Sequence, residues 1–121
     1  MFSGEVNMVI APGTVGEVGI LPLHMPLVTT LKIGELRLKT DKDTWSYFAI
    51  DGGYLEVRED NVTILADAAE FASKIDVGEL IKTQAELKER LAGMKSGATE
   101  FYELSHALER VANRLRVAEK R

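Results

Sequence analysis

The sequence predicts a β-sandwich N-terminal domain followed by a C-terminal antiparallel α-helical hairpin, on three observations. Up to about Ala66, short runs rich in β-branched and aromatic residues alternate with turn residues, with no helical periodicity between them. Closely spaced strands without intervening helices indicate a sandwich or barrel rather than βαβ units. Beyond Ala66 the composition shifts to Ala, Glu, Lys, Leu and Arg, with apolar residues at helical spacing. The expected division is a sandwich over residues 1–72 and a two-helix part over residues 73–121.

The totals narrow the function classes. A length of 121 residues suits one domain with an appendage, and 45% hydrophobic residues argue against disorder. The net charge of −4 gives no general case for binding nucleic acid or an anionic membrane. With no cysteine, thiolate metal sites and cysteine nucleophiles are excluded. His24 and His106 are too far apart in sequence to suggest zinc spacing. The apolar runs are too short to span a bilayer and the start lacks a signal-peptide layout, so a soluble, non-secreted chain is expected. No nucleophile–base pair or phosphate loop suggests an enzyme.

Taken in order, Glu5–Ile10 reads as a strand ending at an Ala11-Pro12-Gly13 turn. Gly16–Val28 is the least generic stretch, with two glycines, two prolines, Glu17 and His24 among apolar residues. It reads as a short buried strand, Val18–Leu21, bending at Pro22 into a loop that carries His24. Val28–Leu31 and Glu35–Lys39 read as strands on either side of Ile33-Gly34, before a polar Asp41-Lys42-Asp43 turn. Trp45–Ile50 is an aromatic strand closed by Asp51-Gly52-Gly53, a tight-turn signal. Tyr54–Arg58 and Val62–Leu65 follow around a Glu59-Asp60-Asn61 turn. Met8, Ile10, Phe48 and Tyr54 fit either the core or a docking patch, and alternation alone does not separate the two.

The helical part opens at Asp76. Glu79 stands three residues on in a capping-box arrangement, and Ile75 and Leu80 are placed as a hydrophobic staple. Val77, Leu80, Ile81, Leu87 and Leu91 form one apolar stripe, ending near Gly93. After a polar Lys95–Ala98 connection, a second helix starts at Thr99. Its seam of Phe101, Leu104, Leu108, Val111, Leu115 and Ala118 has 3-4-3-4-3 spacing. His106, beside that seam, reads as a packing or surface residue. Two helices joined by a short loop pack antiparallel, and such a hairpin needs a further surface for stability.

The Gly16–Val28 stretch, Asp51-Gly52-Gly53-Tyr54-Leu55-Glu56-Val57, Asn61–Glu70 and Arg110–Ala118 together resemble the epsilon subunit of the rotary proton-translocating ATP synthase. The resemblance runs in order along essentially the whole chain. It implies a non-catalytic rotor subunit of the central stalk, coupling proton-driven ring rotation to ATP synthesis. The implied partners are the gamma subunit and the c-subunit ring, with the alpha/beta catalytic head when the helices extend and inhibit ATP hydrolysis. The implied place is peripheral, on the cytoplasmic face of the bacterial plasma membrane, touching the membrane only through the complex. Family members usually begin earlier, and Met1-Phe2-Ser3-Gly4 already matches their second strand. The first family strand is thus apparently absent, which leaves the N-terminal strand order open.

The resemblance also implies sites. Glu17 and His24 match positions facing the c ring, although Glu17 also reads as a solvated turn residue and His24 as a cap of the Pro22–Pro26 loop. No cofactor is required, but some relatives bind regulatory ATP at the folded hairpin, and Glu70, Ile75, Asp76, Arg110 and Arg114 match that contact set. Where the ATP motif has Arg-Ala, this chain has Glu79-Leu80, a charge change unfavourable to an anion, so ATP binding is expected to be weak. Arg110, Arg114 and Arg116 read as a basic face, either solvated or meeting the catalytic head when extended. The rival function is a stand-alone ATP-sensing binding module.

Overall fold

In the computed structural model, residues 8–14, 16–20, 26–40, 44–58, 61–94, 97 and 99–120 are described. Six strands, β1 (Met8–Gly13), β2 (Gly16–Ile20), β3 (Leu27–Lys39), β4 (Trp45–Arg58), β5 (Asn61–Ala66) and β6 (Ala69–Phe71), precede a 3₁₀ turn at Ala72–Lys74. Two helices follow, α1 (Val77–Ala92) and α2 (Thr99–Ala118). All strand pairings are antiparallel, in the order β2-β1-β3-β4-β5, with β6 also on β4. The sheet closes over one core of Val9, Ala11, Ile20, Leu31, Leu36, Leu38, Ile50, Leu55 and Val57. Both halves of β3 and of β4 feed that core.

Three expected breaks are absorbed into strands. β3 and β4 pair in one register from Leu27↔Val57 to Lys39↔Trp45, so neither Ile33-Gly34 nor Asp51-Gly52-Gly53 reverses the chain. The glycines serve close approach instead. A Cβ on Gly34 would sit 2.6 Å from Cβ of Pro12. Gly52 and Gly53 have φ of +117° and +138°, at the point where the edge of β4 passes from β6 to β5. The Asp67 N–H donates to the Gly52 carbonyl at 3.0 Å there, and the Asp51 N–H donates to the Ala68 carbonyl at 3.1 Å. Positive φ suits a primed hairpin turn and an irregular strand alike, which is why the glycine signal misled.

β1 likewise runs through Ala11-Pro12-Gly13, with Ala11 fully buried. Its register with β3 shifts between Ile10 and Gly13, so the missing N–H of Pro12 falls where the ladder is already interrupted. Met8, Ile10 and Phe48 are half-buried, whereas Tyr54 is exposed. The 41–43 turn, Glu59-Asp60, the Pro22 bend, His24 and Met1–Gly4 lie outside the described residues.

The hairpin follows its amphipathic pattern closely. Asp76 is the N-cap of α1, and its side chain accepts from the Glu79 N–H at 3.1 Å. Leu87, Leu104 and Val111 form the buried helix–helix core, flanked by Leu80, Leu91, Leu108 and Leu115. Ile81 departs from the expected stripe and is 55% exposed. Replacing Asp76 by alanine removes the cap of α1, and a loss of about 1 kcal/mol in urea unfolding is the expected result.

Candidate functional site

The site is the junction where α2 lies on the sandwich. α2 presents two faces. The expected seam of Leu104, Leu108, Val111 and Leu115 packs on α1. A second row, Asn113, Arg114 and Val117, recurs at three- and four-residue steps and turns toward β3 and β4. Val117 is buried with Ala49, Ala72, Ile75 and Ala118, and Tyr47, Val77 and Leu80 pack against them. Most of these are small side chains, so the apolar contact is modest. Ile75 is thus part of the junction as well as the residue before the Asp76 cap.

Polar groups complete the junction. Asn113 is 3% exposed, and its Nδ2 donates to the carbonyls of Gly34 at 2.9 Å and Ile50 at 3.5 Å. Arg114 is held by two carboxylates. Its Nη1 and Nη2 donate to the two oxygens of Asp51 at 2.7 and 3.1 Å, and its Nε donates to Glu70 Oε1 at 3.1 Å. Nη1 also lies 3.5 Å from the Arg110 carbonyl oxygen. The side chains of Arg114 and Asp51 are only 16% and 14% exposed, against 39% for Glu70.

A two-pronged guanidinium–carboxylate pair at this depth is stronger than a surface ion pair. The hydrogen bonds to Asp51 raise the pKa of Arg114 above its ordinary value, against the opposing effect of partial burial. Lys120 adds its Nζ at 5.8 Å from the centroid of the Tyr47 ring.

The expected ATP contacts therefore part company. Glu70 and Arg114 are brought together, but onto each other; Arg110 meets Arg114 through its backbone, and Asp76 caps α1. Arg116 is exposed near the end of α2. Asn113 and Asp51 are the junction residues that sequence reasoning missed. The available signal was Val117, an apolar residue off the seam and four residues from Asn113.

Two further surfaces matter. Glu17, on β2, accepts from Arg37 Nη2 at 2.5 Å across β1, while Arg37 Nε stands 3.3 Å from Glu35 in a poorly aligned contact. Glu17 is nonetheless 65% exposed at its side chain, so it can serve a partner while held in place. On β3, β4 and β5, Tyr54 is paired with Thr30 and Leu65, and Val28 lies opposite Glu56. Val28, Tyr54 and Leu65 are 70%, 58% and 63% exposed, forming an open apolar row. Among the described residues no cluster of side chains could hold a metal ion, and no helix is long and apolar enough to cross a membrane.

An antiparallel strand-rich domain carrying a docked C-terminal helical pair defines the structural class. The chain belongs to the ATP synthase epsilon chain family. Residues 1–72 match the family model of the ATP synthase, Delta/Epsilon chain, beta-sandwich domain. An ATP synthase epsilon chain of Dehalococcoides mccartyi is 43% identical, covering all of this chain and 86% of its own length. One of Syntrophobacter fumaroxidans is 46% identical over 99% of this chain and 88% of its own. One of an Exiguobacterium species is 41% identical over 96% and 85%. In fold, the chain is similar to a chain of the Euglena gracilis mitochondrial ATP synthase, with a TM-score of 0.77 at 24% identity, covering 89% of this chain and 67% of that one.

Proposed function

We propose that this chain is a non-catalytic central-stalk subunit, which binds the gamma subunit through its sandwich, meets the c ring at the Glu17 corner and restrains ATP hydrolysis through its helices. The observation that carries the reading is the open row of Val28, Tyr54 and Leu65 in the half of β3 and β4 beyond the hairpin junction. Clustered exposed aromatic and aliphatic side chains on a rigid sheet are the usual anchors of a protein interface. Glu17, pre-positioned by Arg37, suits a polar contact with a basic or amide-bearing loop. His24 is assigned to the same contact by the family resemblance.

In this reading the complex sits at the cytoplasmic face of a bacterial plasma membrane, and the chain reaches the membrane only through its partners. Regulation comes from the hairpin. Once it leaves the sandwich, Arg110, Arg114 and Arg116 form a basic face for the alpha/beta catalytic head, and no cofactor is needed. A free-standing ATP sensor is disfavoured because Arg114 and Glu70 already satisfy one another.

The test is binding to purified gamma. A double substitution, Tyr54→Glu with Leu65→Glu, is expected to weaken association about a hundredfold, as loss of central anchors does. Glu56→Gln beside them is expected to leave it unchanged. A native chain that never co-migrates with gamma would overturn the proposal.

A further inference from the structure

The contacts across the junction are unequal in kind. The apolar part is built from Ala49, Ala72 and Ala118 with Ile75 and Val117, a small area for holding a two-helix appendage. The polar part is dense. Arg114 uses both prongs on Asp51 and its Nε on Glu70, while the adjacent Asn113 amide reaches two strand carbonyls from a fully enclosed position. The guanidinium is already neutralised by groups of the chain itself. An external anion seeking Arg114 therefore has to displace a carboxylate first.

We propose that Asp51, Glu70 and Arg114, registered by Asn113, form an internal latch that docks the hairpin without any bound ligand, and that polyphosphate anions compete with this latch rather than strengthen it. Arg114 supplies the cation, and Asp51, from the glycine-bearing segment of β4, fixes its orientation. Glu70 on β6 closes the third side. Asn113 acts as a positioning residue, because its bonds to Gly34 and Ile50 set where along the sheet Arg114 arrives. The latch belongs to the isolated chain, so its test needs no other subunit and stands or falls separately from the gamma-binding test.

The chain has no cysteine, so label pairs can be placed freely. With probes at Glu56→Cys on β4 and Glu103→Cys on α2, both exposed, an inter-probe distance distribution reads docking in the full chain. The unsubstituted latch is expected to give one short-distance population without ligand. Arg114→Gln and Asp51→Asn are each expected to lower the docked-to-undocked ratio about ten- to a hundredfold, less than for a wholly buried pair. The double variant is expected to cost little more than Arg114→Gln alone, the signature of a direct coupling. Inorganic tripolyphosphate added to the native latch is expected to lower the docked fraction. An unchanged distribution in Arg114→Gln, or a docked fraction that rises with tripolyphosphate, overturns the proposal. Trp45 fluorescence checks that the sandwich is folded, and if a variant loses it, the tripolyphosphate titration of the native latch still decides.

Discussion

Replacing Gly53 by alanine is expected to destabilise the sandwich by about 3 kcal/mol or more, the range of a substitution that combines backbone strain with overlap. Two penalties coincide at this position. The φ of +138° is a conformation that side chains rarely adopt. A Cβ there would also run into the Leu65 carbonyl oxygen and lie 2.8 Å from the Ala66 Cα, both backbone atoms of β5. β5 cannot retreat without losing its ladder to β4, which runs from Gly53↔Ala66 to Arg58↔Asn61. Gly16→Ala separates the two penalties, because Gly16 has φ +144° but nothing within 4 Å of its Cβ position. It is expected to lose only about 1–2 kcal/mol, the cost of the conformation alone. Urea unfolding followed by Trp45 fluorescence measures both, and equal losses would sink the overlap argument.

The same glycine pair shows why parts of the fold were legible in the sequence and others were not. Periodicity is a local property, so α1, α2 and the Asp76 cap could be read from neighbouring residues, and the family resemblance extended the reading to the whole architecture. Asp51-Gly52-Gly53 is ambiguous at that range. Reversing the chain and letting a second strand approach closely both demand glycine, and only the distant pairing of β4 with β3 decides between them. Pro12 and Gly34 are linked in the same way, each explaining the other across two strands.

The junction was hidden for a related reason. Arg110, Asn113 and Arg114 on one helical face look like solvated polar residues unless the acceptors are known. Those acceptors are backbone carbonyls and carboxylates scores of positions earlier in the chain, at Gly34, Ile50, Asp51 and Glu70. Sequence spacing carries no trace of such a match. At the motif break, the Glu79 N–H donates to the Asp76 cap and Leu80 packs at the junction. The small apolar area there also bears on function. Under the proposed function, a large hydrophobic contact would trap the hairpin on its sandwich, whereas a contact dominated by a few charged and amide groups can be exchanged for equivalent groups elsewhere.

Asn113→Asp is expected to undock the hairpin at neutral pH by about 3 kcal/mol and to regain part of that loss in acid. The substitution conserves shape, so packing against Gly34 and Ile50 is little altered. It replaces the Nδ2 donor by an acceptor, which when ionised faces two carbonyl oxygens from a position 3% exposed. Desolvation and repulsion both disfavour the charged form in the docked state. The new carboxyl therefore has a higher pKa docked than undocked. Docking is then strongest below the undocked pKa, near the ordinary aspartate value of about 4, and is lost as pH rises through the docked pKa. The other charged groups described at the junction are Arg114, Asp51, Glu70 and Lys120. Asn113→Ala removes the amide without adding a charge and should lose about 1–3 kcal/mol, with the pH dependence of the native chain. Following the label-pair distance between pH 4 and pH 8 separates the cases. If the aspartate and alanine variants keep parallel pH profiles, Asn113 is not the enclosed donor that sets the position of α2 on the sheet.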